Sequence, residues 1–193
     1  MAAAKILVFS GSIRTGSFNT QLAGAAAREL ALANAEVSLI SLQDYPLPIY
    51  DGDFEKKNGV PQHAIDLKRM IGAHDGVFIA SPEYNHSVPP LLSNTIDWIS
   101  RLPADDGAPA SPKMPVIAMG SASSGPYGGA RVLVQLRTLL AAALGALVLP
   151  RMISVTNAAS AFDEVGALKI EAVAKNLTNV TGQLIDVAER MRG

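Results

Sequence analysis

The sequence contains 193 residues, no cysteine and a formal net charge of −1. Without cysteine there is no disulfide, no iron–sulfur ligation and no thiol chemistry, and a nearly neutral chain is not expected to bind a nucleic-acid backbone. Hydrophobic residues make up 49% and charged residues 17% of the chain, which is typical of a compact globular protein. We therefore expect one domain over residues 1–193, and the three scattered histidines predict no metal site.

No segment of the sequence predicts secretion or a membrane anchor. The first apolar run, residues 6–9, has the length of a strand and is too short for the core of a signal peptide. The longest apolar stretch, residues 139–149, is too short to span a bilayer. We expect a cytoplasmic protein without a membrane partner, and the absence of cysteine is compatible with that location.

Short apolar runs alternate with segments of helical periodicity along the chain. Continuous apolar runs are typical of strands that are buried on both faces of a parallel sheet. Such runs fall at residues 6–9, 76–80 and 115–119, and two further strands are predicted at residues 37–42 and within residues 146–153. Apolar residues at helical spacing predict the helices between them. These helices are expected at residues 19–33, 61–71, 90–101 and 129–144, and over the last thirty residues or so.

Two further segments lack either pattern. The proline-rich residues 45–51 fit neither a helix nor a central strand, and residues 102–113, rich in Pro, Ala, Gly and Asp, predict an exposed loop. Five strands alternating with five helices predict an α/β three-layer sandwich, in which helices cover both faces of a parallel sheet. The flavodoxin-like strand order 2-1-3-4-5 is the topology we expect.

Ligands of such sheets bind beyond the carboxyl ends of the strands, where the strand order reverses. Three loops leave that edge, at residues 10–19, 81–88 and 120–129, and all three are rich in Ser, Gly, Asn or Pro. We refer to them as the first, second and third loops. Their shared position and composition predict that they form the ligand site.

The first loop joins a buried strand to a helix N-terminus, where exposed amides and the helix dipole favour an anion. Hydroxyl and amide side chains add further donors, and Arg14 adds a full charge. The neutral donors are Ser12, Thr15, Ser17 and Asn19. This set suits a phosphate monoester. The alternative is a simple helix cap, made by Ser17 or Asn19, with nothing bound.

The second and third loops offer different chemistry. In the second loop Tyr84 provides a planar face and Asn85 provides both donors and acceptors, which a flat heteroaromatic ring requires. The alternative is a turn stiffened by proline. The glycines of the third loop allow close approach of a ligand to the backbone, although glycine- and serine-rich loops are more often flexible connectors.

Several charged side chains have two interpretations. His86 is either a proton donor near a ligand or, as we favour, a loop histidine facing solvent, because no carboxylate lies beside it in sequence. Asp97 and Arg101, four residues apart on a helix, predict a surface ion pair rather than a catalytic dyad. Arg131 and Arg137 lie in an apolar helix and indicate either a subunit interface or side chains that reach solvent.

Four segments, spread over nearly the whole chain, carry a family resemblance. They read Gly-Ser-Ile-Arg-Thr-Gly-Ser-Phe-Asn at residues 11–19, Ser-Pro-Glu-Tyr-Asn at 81–85, Asn-Thr-Ile-Asp-Trp-Ile-Ser-Arg at 94–101 and Gly-Gly-Ala-Arg at 128–131. In this order they resemble the NAD(P)H-dependent FMN reductase family, and most closely its quinone and chromate reductase branch.

The resemblance implies a specific site. The FMN phosphate would be held by Ser12, Arg14, Ser17, Phe18 and Asn19. The isoalloxazine ring would lie against Pro82, Glu83, Tyr84 and Asn85, and its far edge would meet Ser121, Ser123 and Gly125. Hydride would pass from NADPH or NADH through FMN to a quinone, or to an oxidised metal anion such as chromate. The resemblance also implies a homodimer or homotetramer, and we expect Arg101 to contact an anionic substrate.

Two other functions are compatible with the same fold. A flavodoxin-type electron carrier would bind FMN without reacting with NAD(P)H, but such carriers are often strongly acidic, and a net charge of −1 argues against that role. A protein that binds a sugar phosphate or nucleotide without a flavin is the other alternative. It would leave the Ser-Pro-Glu-Tyr-Asn segment unexplained.

Overall fold

A computed structural model describes residues 2–102 and 114–192. Its centre is a five-stranded sheet in the order β2-β1-β3-β4-β5, in which every neighbouring pair is parallel. The strands are β1 (Lys5–Ser10), β2 (Glu36–Ser41), β3 (Gly76–Ala80), β4 (Val116–Ala122) and β5 (Val148–Val155). This is the predicted order. Of the predicted exposed loop at residues 102–113, residues 103–113 lie outside the described residues.

The helices are α1 (Phe18–Leu32), α2 (Gly52–Asn58), α3 (Gln62–Gly72), α4 (Pro90–Ser100), α5 (Ala130–Leu144), α6 (Ala158–Ala161) and α7 (Glu171–Arg192), with a 3-10 turn at Leu42–Asp44. Helices α1 to α5 lie between successive strands, and α6 and α7 follow the last strand. The prediction of five helices was wrong, because the short α2 and α6 were missed. No residue of α2 is buried, so it carries no apolar stripe, and its start depends on Asp51, whose carboxylate accepts from the amides of Asp53 and Phe54.

Two apolar layers sandwich the sheet. On one face, Ile6 and Val8 pack with residues of α1 and α7. On the other face, Leu7 and Phe9 pack with α3, α4 and α5. Every residue of β3 and β4 is buried, which explains why their sequences show continuous apolar character rather than alternation. No helix in the two described ranges has the length and apolar character needed to cross a bilayer.

The fourth strand extends further than its sequence predicts. We expected it to end at Met119, whereas β4 continues to Ala122 because Ser121 and Ala122 pair with Ser154 and Val155 of β5. The third loop therefore begins at residue 123, and Ser121 is a strand residue. Polar and small residues hide this extension from a search for apolar runs.

The amino edge of the sheet is closed by a polar clasp formed by Asp75, Arg192 and the N-terminal backbone. The Asp75 carboxylate accepts from the Lys5 amide at 2.7 Å and from the Arg192 guanidinium. Arg192 also donates to the carbonyls of Ala2 and Ala3, at 2.8 and 2.9 Å. Burial raises the pKa of Asp75, but the hydrogen bonds from Arg192 and Lys5 and their positive charges lower it by more, so its net pKa lies below 3.8. The clasp joins both chain ends to the start of β3.

Candidate functional site

The three loops predicted to bind a ligand lie side by side at the carboxyl edge of the sheet. The amide of Gly11 donates to the Ala80 carbonyl at 2.8 Å, and the amide of Ser81 donates to the Gly120 carbonyl at 2.8 Å. These bonds continue the ladders of β1 with β3 and of β3 with β4. The first two loops therefore start in fixed register with the sheet.

The first loop contains a helix cap and also several unpaired backbone amides. Ser17 caps α1, since its Oγ accepts from the Asn19 amide at 3.2 Å, and Ser12 Oγ accepts from the Arg14 amide at 3.3 Å. Other amides of the loop remain available to a ligand at the positive end of the α1 dipole. Among the described residues, no partner accepts from the amides of Thr15, Gly16 and Phe18. The Ser17 cap therefore leaves these three amides free.

Arg14 lies over this loop. Its side chain is exposed, and its guanidinium donates to the carbonyls of Thr15 and Gly16 at 3.2 and 3.4 Å. The guanidinium also lies 5.7 Å from the centre of the Phe18 ring. These contacts hold a positive charge beside the free amides, as an anion site requires.

Asn19 faces away from the free amides. Its side chain is buried, with 3% of the residue exposed. Nδ2 donates to the Ala122 carbonyl at 3.0 Å, and Oδ1 accepts from the Ala122 amide at 2.9 Å. Both ends of the side-chain amide are therefore bonded to the last residue of β4. The partners are 103 positions apart in sequence, so no local pattern predicts this bond.

The second loop is a tight hairpin turn. The backbones of Tyr84 and Ser87 exchange hydrogen bonds of 3.2 and 3.0 Å, and between them Asn85 and His86 have φ values of 50° and 62°. Two successive left-handed residues define a type I′ turn, which Asn tolerates well at its first position. A turn was one of the two interpretations of this loop, but the prolines flank the turn and do not form it. Tyr84 is 46% exposed and presents its ring at the edge of the sheet.

Glu83 connects the second loop to α5. Its Oε2 accepts from the Val132 amide at 3.0 Å, in the first turn of a helix whose own N-cap, Gly129, makes no side-chain cap. Its Oε1 lies 3.4 Å from His86 Nδ1 and 3.7 Å from Arg131 Nη1. The imidazole is 73% exposed, as expected, but it has the carboxylate neighbour that adjacent sequence positions did not show. The Glu83 side chain therefore joins the second loop to the first turn of α5.

The third loop is hydrogen-bonded to β5 and within itself. The amide of Ser123 donates to the Val155 carbonyl at 3.0 Å, and its Oγ accepts from the Gly125 amide at 3.3 Å. Ser121 is fully buried, and its Oγ has no hydrogen-bond partner among the described residues. A Cβ on Gly129 would lie 1.9 Å from that oxygen. The loop therefore presents Ser123 and Gly125, while Ser121 is enclosed beneath Gly129.

Arg101 lies far from the three loops of its own chain. It follows α4, whose 11 residues run about 16 Å from the second loop toward the opposite edge of the sheet. The predicted pair with Asp97 was wrong, because Arg101 Nε lies 3.0 Å from both carboxylate oxygens of Glu55. That hydrogen bond lowers the pKa of Glu55, and the bond from the Tyr50 hydroxyl to Glu55 raises the pKa of Tyr50. The partner was missed because it lies on the unpredicted α2.

The two arginines of α5 have local roles. The Arg137 guanidinium donates to the carbonyls of Val148, Leu149 and Pro150, at 3.3, 2.7 and 3.1 Å. It joins α5 to the start of β5 and does not extend freely into solvent. Arg131 lies 4.4 Å from the centre of the Tyr127 ring, at the mouth of the third loop. Neither contact was visible in the apolar pattern of the helix.

Comparisons with known proteins agree with this geometry. Residues 4–160 match the family model described as NADPH-dependent FMN reductase. The quinone reductase of Escherichia coli strain K12 is 39% identical over 137 residues, which cover 70% of this chain and 69% of that protein. An NAD(P)H-dependent FMN reductase of Pseudomonas aeruginosa is 33% identical over 193 residues, covering 98% and 97% of the two chains.

Solved structures show the same fold. The flavoenzyme NAD(P)H:(acceptor) oxidoreductase FerB from Paracoccus denitrificans superimposes with a TM-score of 0.75 at 25% identity, covering 97% of this chain and 98% of that one. An oxidoreductase of Corynebacterium diphtheriae has a TM-score of 0.64 at 22% identity, covering 98% and 99%. The chain thus belongs to the NADPH-dependent FMN reductase family, and its cofactors are FMN and a reduced nicotinamide nucleotide.

Proposed function

We propose that this chain is an FMN-dependent NAD(P)H:quinone oxidoreductase. The observation that carries the proposal is the pairing, on one sheet edge, of free loop amides with a rigid turn that exposes Tyr84. FMN combines a phosphate monoester with a flat ring system, and each half needs one of these features. The quinone reductase of Escherichia coli, and a 2-hydroxy-1,4-benzoquinone reductase of a Burkholderia species that is 41% identical over 99 residues, support a quinone as the acceptor.

The donors of the first loop fit a phosphate. The amides of Thr15, Gly16 and Phe18 are free, and Arg14 adds a full charge. The hydroxyls of Ser12 and Ser17 each accept a backbone hydrogen bond, so each retains its own proton for donation to a ligand oxygen. We assign the phosphate to these residues. Asn19 contributes through its position in α1, as argued below.

The second and third loops fit the ring. We propose that the ring lies against Pro82 and Tyr84 and that the Asn85 amide bonds its edge, while Ser123 and Gly125 face the opposite edge. Glu83 contributes by fixing the turn to α5, since its carboxylate is engaged with Val132 and Arg131. Ser121 stays in our assignment, although its hydroxyl is fully buried beneath Gly129 and has no partner among the described residues. FMN would reach this hydroxyl only after a movement of the chain around Gly129.

The reaction needs no protein nucleophile. Bound FMN would supply the redox chemistry, by which a hydride from NAD(P)H and one proton from solvent together reduce a quinone to the hydroquinone. The chain supplies the geometry: the type I′ turn holds one face of the pocket, and backbone amides of the second and third loops act as fixed donors where negative charge accumulates. Because their hydrogen bonds to the sheet and to α5 fix both loops, little reorganisation accompanies the reaction.

We also propose reduction of chromate as a second acceptor and assembly into a homodimer or homotetramer, both of which rest on the family resemblance. One domain over residues 1–193 and a cytoplasmic location are proposed from the length and composition of the chain. Arg101 reaches no loop of its own chain's site, so its proposed contact with an anionic substrate requires a second subunit to bring it there. Its hydrogen bonds to Glu55 reduce the charge available for that contact.

The proposal is tested by an anaerobic absorbance scan of the purified, FMN-loaded protein before and after addition of NADPH or NADH. We expect the flavin band to bleach within the mixing time and to recover on addition of a benzoquinone, with chromate tested in parallel. A yellow protein that neither nucleotide reduces would instead be a flavodoxin-type carrier. Failure to retain FMN would overturn the proposal.

A further inference from the structure

The Asn19 side chain bonds to β4 at a position where a further residue of β3 would otherwise pair. The partner strand β3 ends at Ala80, which pairs with Gly120, so β4 continues for two residues beyond it. The amide of Ser81 donates to the Gly120 carbonyl, which shows that the polar groups of Gly120 face β3. Because the direction of these groups alternates along a strand, those of Ala122 face the same side. There the side-chain amide of Asn19 bonds to both of them, at 2.9 and 3.0 Å.

This pair of bonds connects the two ends of the proposed FMN site. Asn19 lies in the first turn of α1, directly after the loop assigned to the phosphate. Ala122 is the residue before the third loop, which is assigned to the edge of the ring. The Asn19 backbone amide is also engaged, donating to Ser17 Oγ at 3.2 Å. The backbone amide, the side-chain oxygen and one of the two Nδ2 protons of Asn19 are therefore engaged within the chain, and the side chain is buried.

We propose that Asn19 is a positioning residue, which sets the third loop relative to the first loop and is not itself a phosphate ligand. The inference rests on the proposed FMN site. The two roles predict different effects on binding. Loss of a residue that binds the phosphate weakens the binding only of flavins that carry a phosphate. The loss of a link between the two loops weakens binding of the ring as well.

Riboflavin, which has the same ring without the phosphate, separates the two roles. We expect Asn19→Ala to weaken FMN and riboflavin by the same factor, about tenfold, because the buried amide and carbonyl of Ala122 lose their partners. The ratio of the two dissociation constants should stay at the wild-type value. Both constants are measured by fluorescence titration of the full-length, flavin-free chain. The midpoint potential of bound FMN should also shift, because the ring edge loses its fixed donors.

Two control variants define the alternatives. Arg14→Ala, in the same loop but without contact to β4, should weaken FMN while leaving riboflavin binding and the FMN midpoint potential unchanged. Asp75→Asn, at the opposite edge of the sheet, should lower thermal stability without changing either dissociation constant. Together they separate a loss of phosphate binding and a loss of global stability from a displaced third loop.

Each outcome decides the inference. If the wild type binds FMN and Asn19→Ala loses affinity for FMN alone, or for neither ligand, the positioning role is wrong while the proposed function stands. If the wild type binds neither flavin, the proposed function fails and the inference falls with it. Should Asn19→Ala not fold, Asn19→Ser, which retains a hydroxyl too short to reach both groups of Ala122, replaces it in the same titrations.

Discussion

The two edges of the sheet use polar groups in opposite ways. At the amino edge, Asp75, Arg192 and the Lys5 amide satisfy one another and hold the chain ends together. At the carboxyl edge, amides of the first loop and the hydroxyl of Ser121 have no partner within the described residues. We propose that the ligand site lies at this carboxyl edge, where polar groups remain unpaired after folding has satisfied the rest.

The largest expected loss of stability concerns Gly129 at the carboxyl edge, where an added side chain has very little room. We expect Gly129→Ala to cost about 3 kcal/mol or more, because its Cβ would overlap Ser121 Oγ at 1.9 Å and its φ is 76°. Gly145, at the other end of the same helix, has a φ of 62° but no atom within 4 Å of its Cβ position. Gly145→Ala should therefore cost only about 1 kcal/mol, the conformational part alone.

Urea unfolding of both variants gives the comparison directly. Equal losses of unfolding free energy in Gly129→Ala and Gly145→Ala would mean that Ser121 accommodates the new Cβ without a cost in stability. The double variant Ser121→Ala with Gly129→Ala should recover part of the loss, because it removes the overlapping oxygen.

A second test removes the link between the second loop and α5. Glu83→Ala should lower stability by about 1–2 kcal/mol, because the Val132 amide loses its cap and the helix N-terminus loses a negative charge. Glu83→Gln keeps an acceptor at the same position and should cost less than half as much. Thermal unfolding without flavin measures both changes. If Glu83→Gln and Glu83→Ala lower the thermal stability equally, the negative charge beside Arg131, rather than the hydrogen bond to the Val132 amide, fixes the second loop to α5.

A third test addresses the amino edge. At pH 6, Asp75→Asn should be less stable than the wild type by at most about 1 kcal/mol, because it loses an ion pair that is only partly buried. The pKa of Asp75 in the folded protein lies below 3.8, so the carboxylate stabilises the fold above that pH, and the benefit disappears as the pH falls through the lower folded value. The difference between the two proteins should therefore narrow only below pH 3.8. A difference that stayed constant down to pH 2 would exclude the ion pair as its source.

The sheet was predictable because its signal is local. Each strand buried on both faces leaves a continuous apolar run, and the order then follows from the number of strands and the alternation with helices. The positions of the three loops follow from the sheet in the same way. What the sequence could not show lies in contacts between distant residues, such as Asn19 with Ala122 and Arg101 with Glu55.

Two errors concern elements that have no apolar pattern. The extension of β4 to Ala122 depends on pairing with β5, not on apolar character. The start of α2 depends on one capping carboxylate, that of Asp51, and on no burial. The three loops do lie at one edge of the sheet, as predicted. The bonding partners of the Glu83 and Asn19 side chains, however, are backbone groups that only the folded chain brings near them.

The smallest effect concerns the left-handed turn of the second loop, and it should be a gain. His86 has a φ of 62° at a position of the type I′ turn where Gly is preferred, so His86→Gly should raise stability by about 0.5–1 kcal/mol. His86→Ala is the matched control, since it removes the same imidazole but keeps the Cβ, and it should bring no gain. The lost contact with Glu83 is weak, because the imidazole is 73% exposed. If His86→Ala and His86→Gly raised thermal stability equally, the benefit would come from removing the imidazole. The left-handed backbone at His86 would then not be strained.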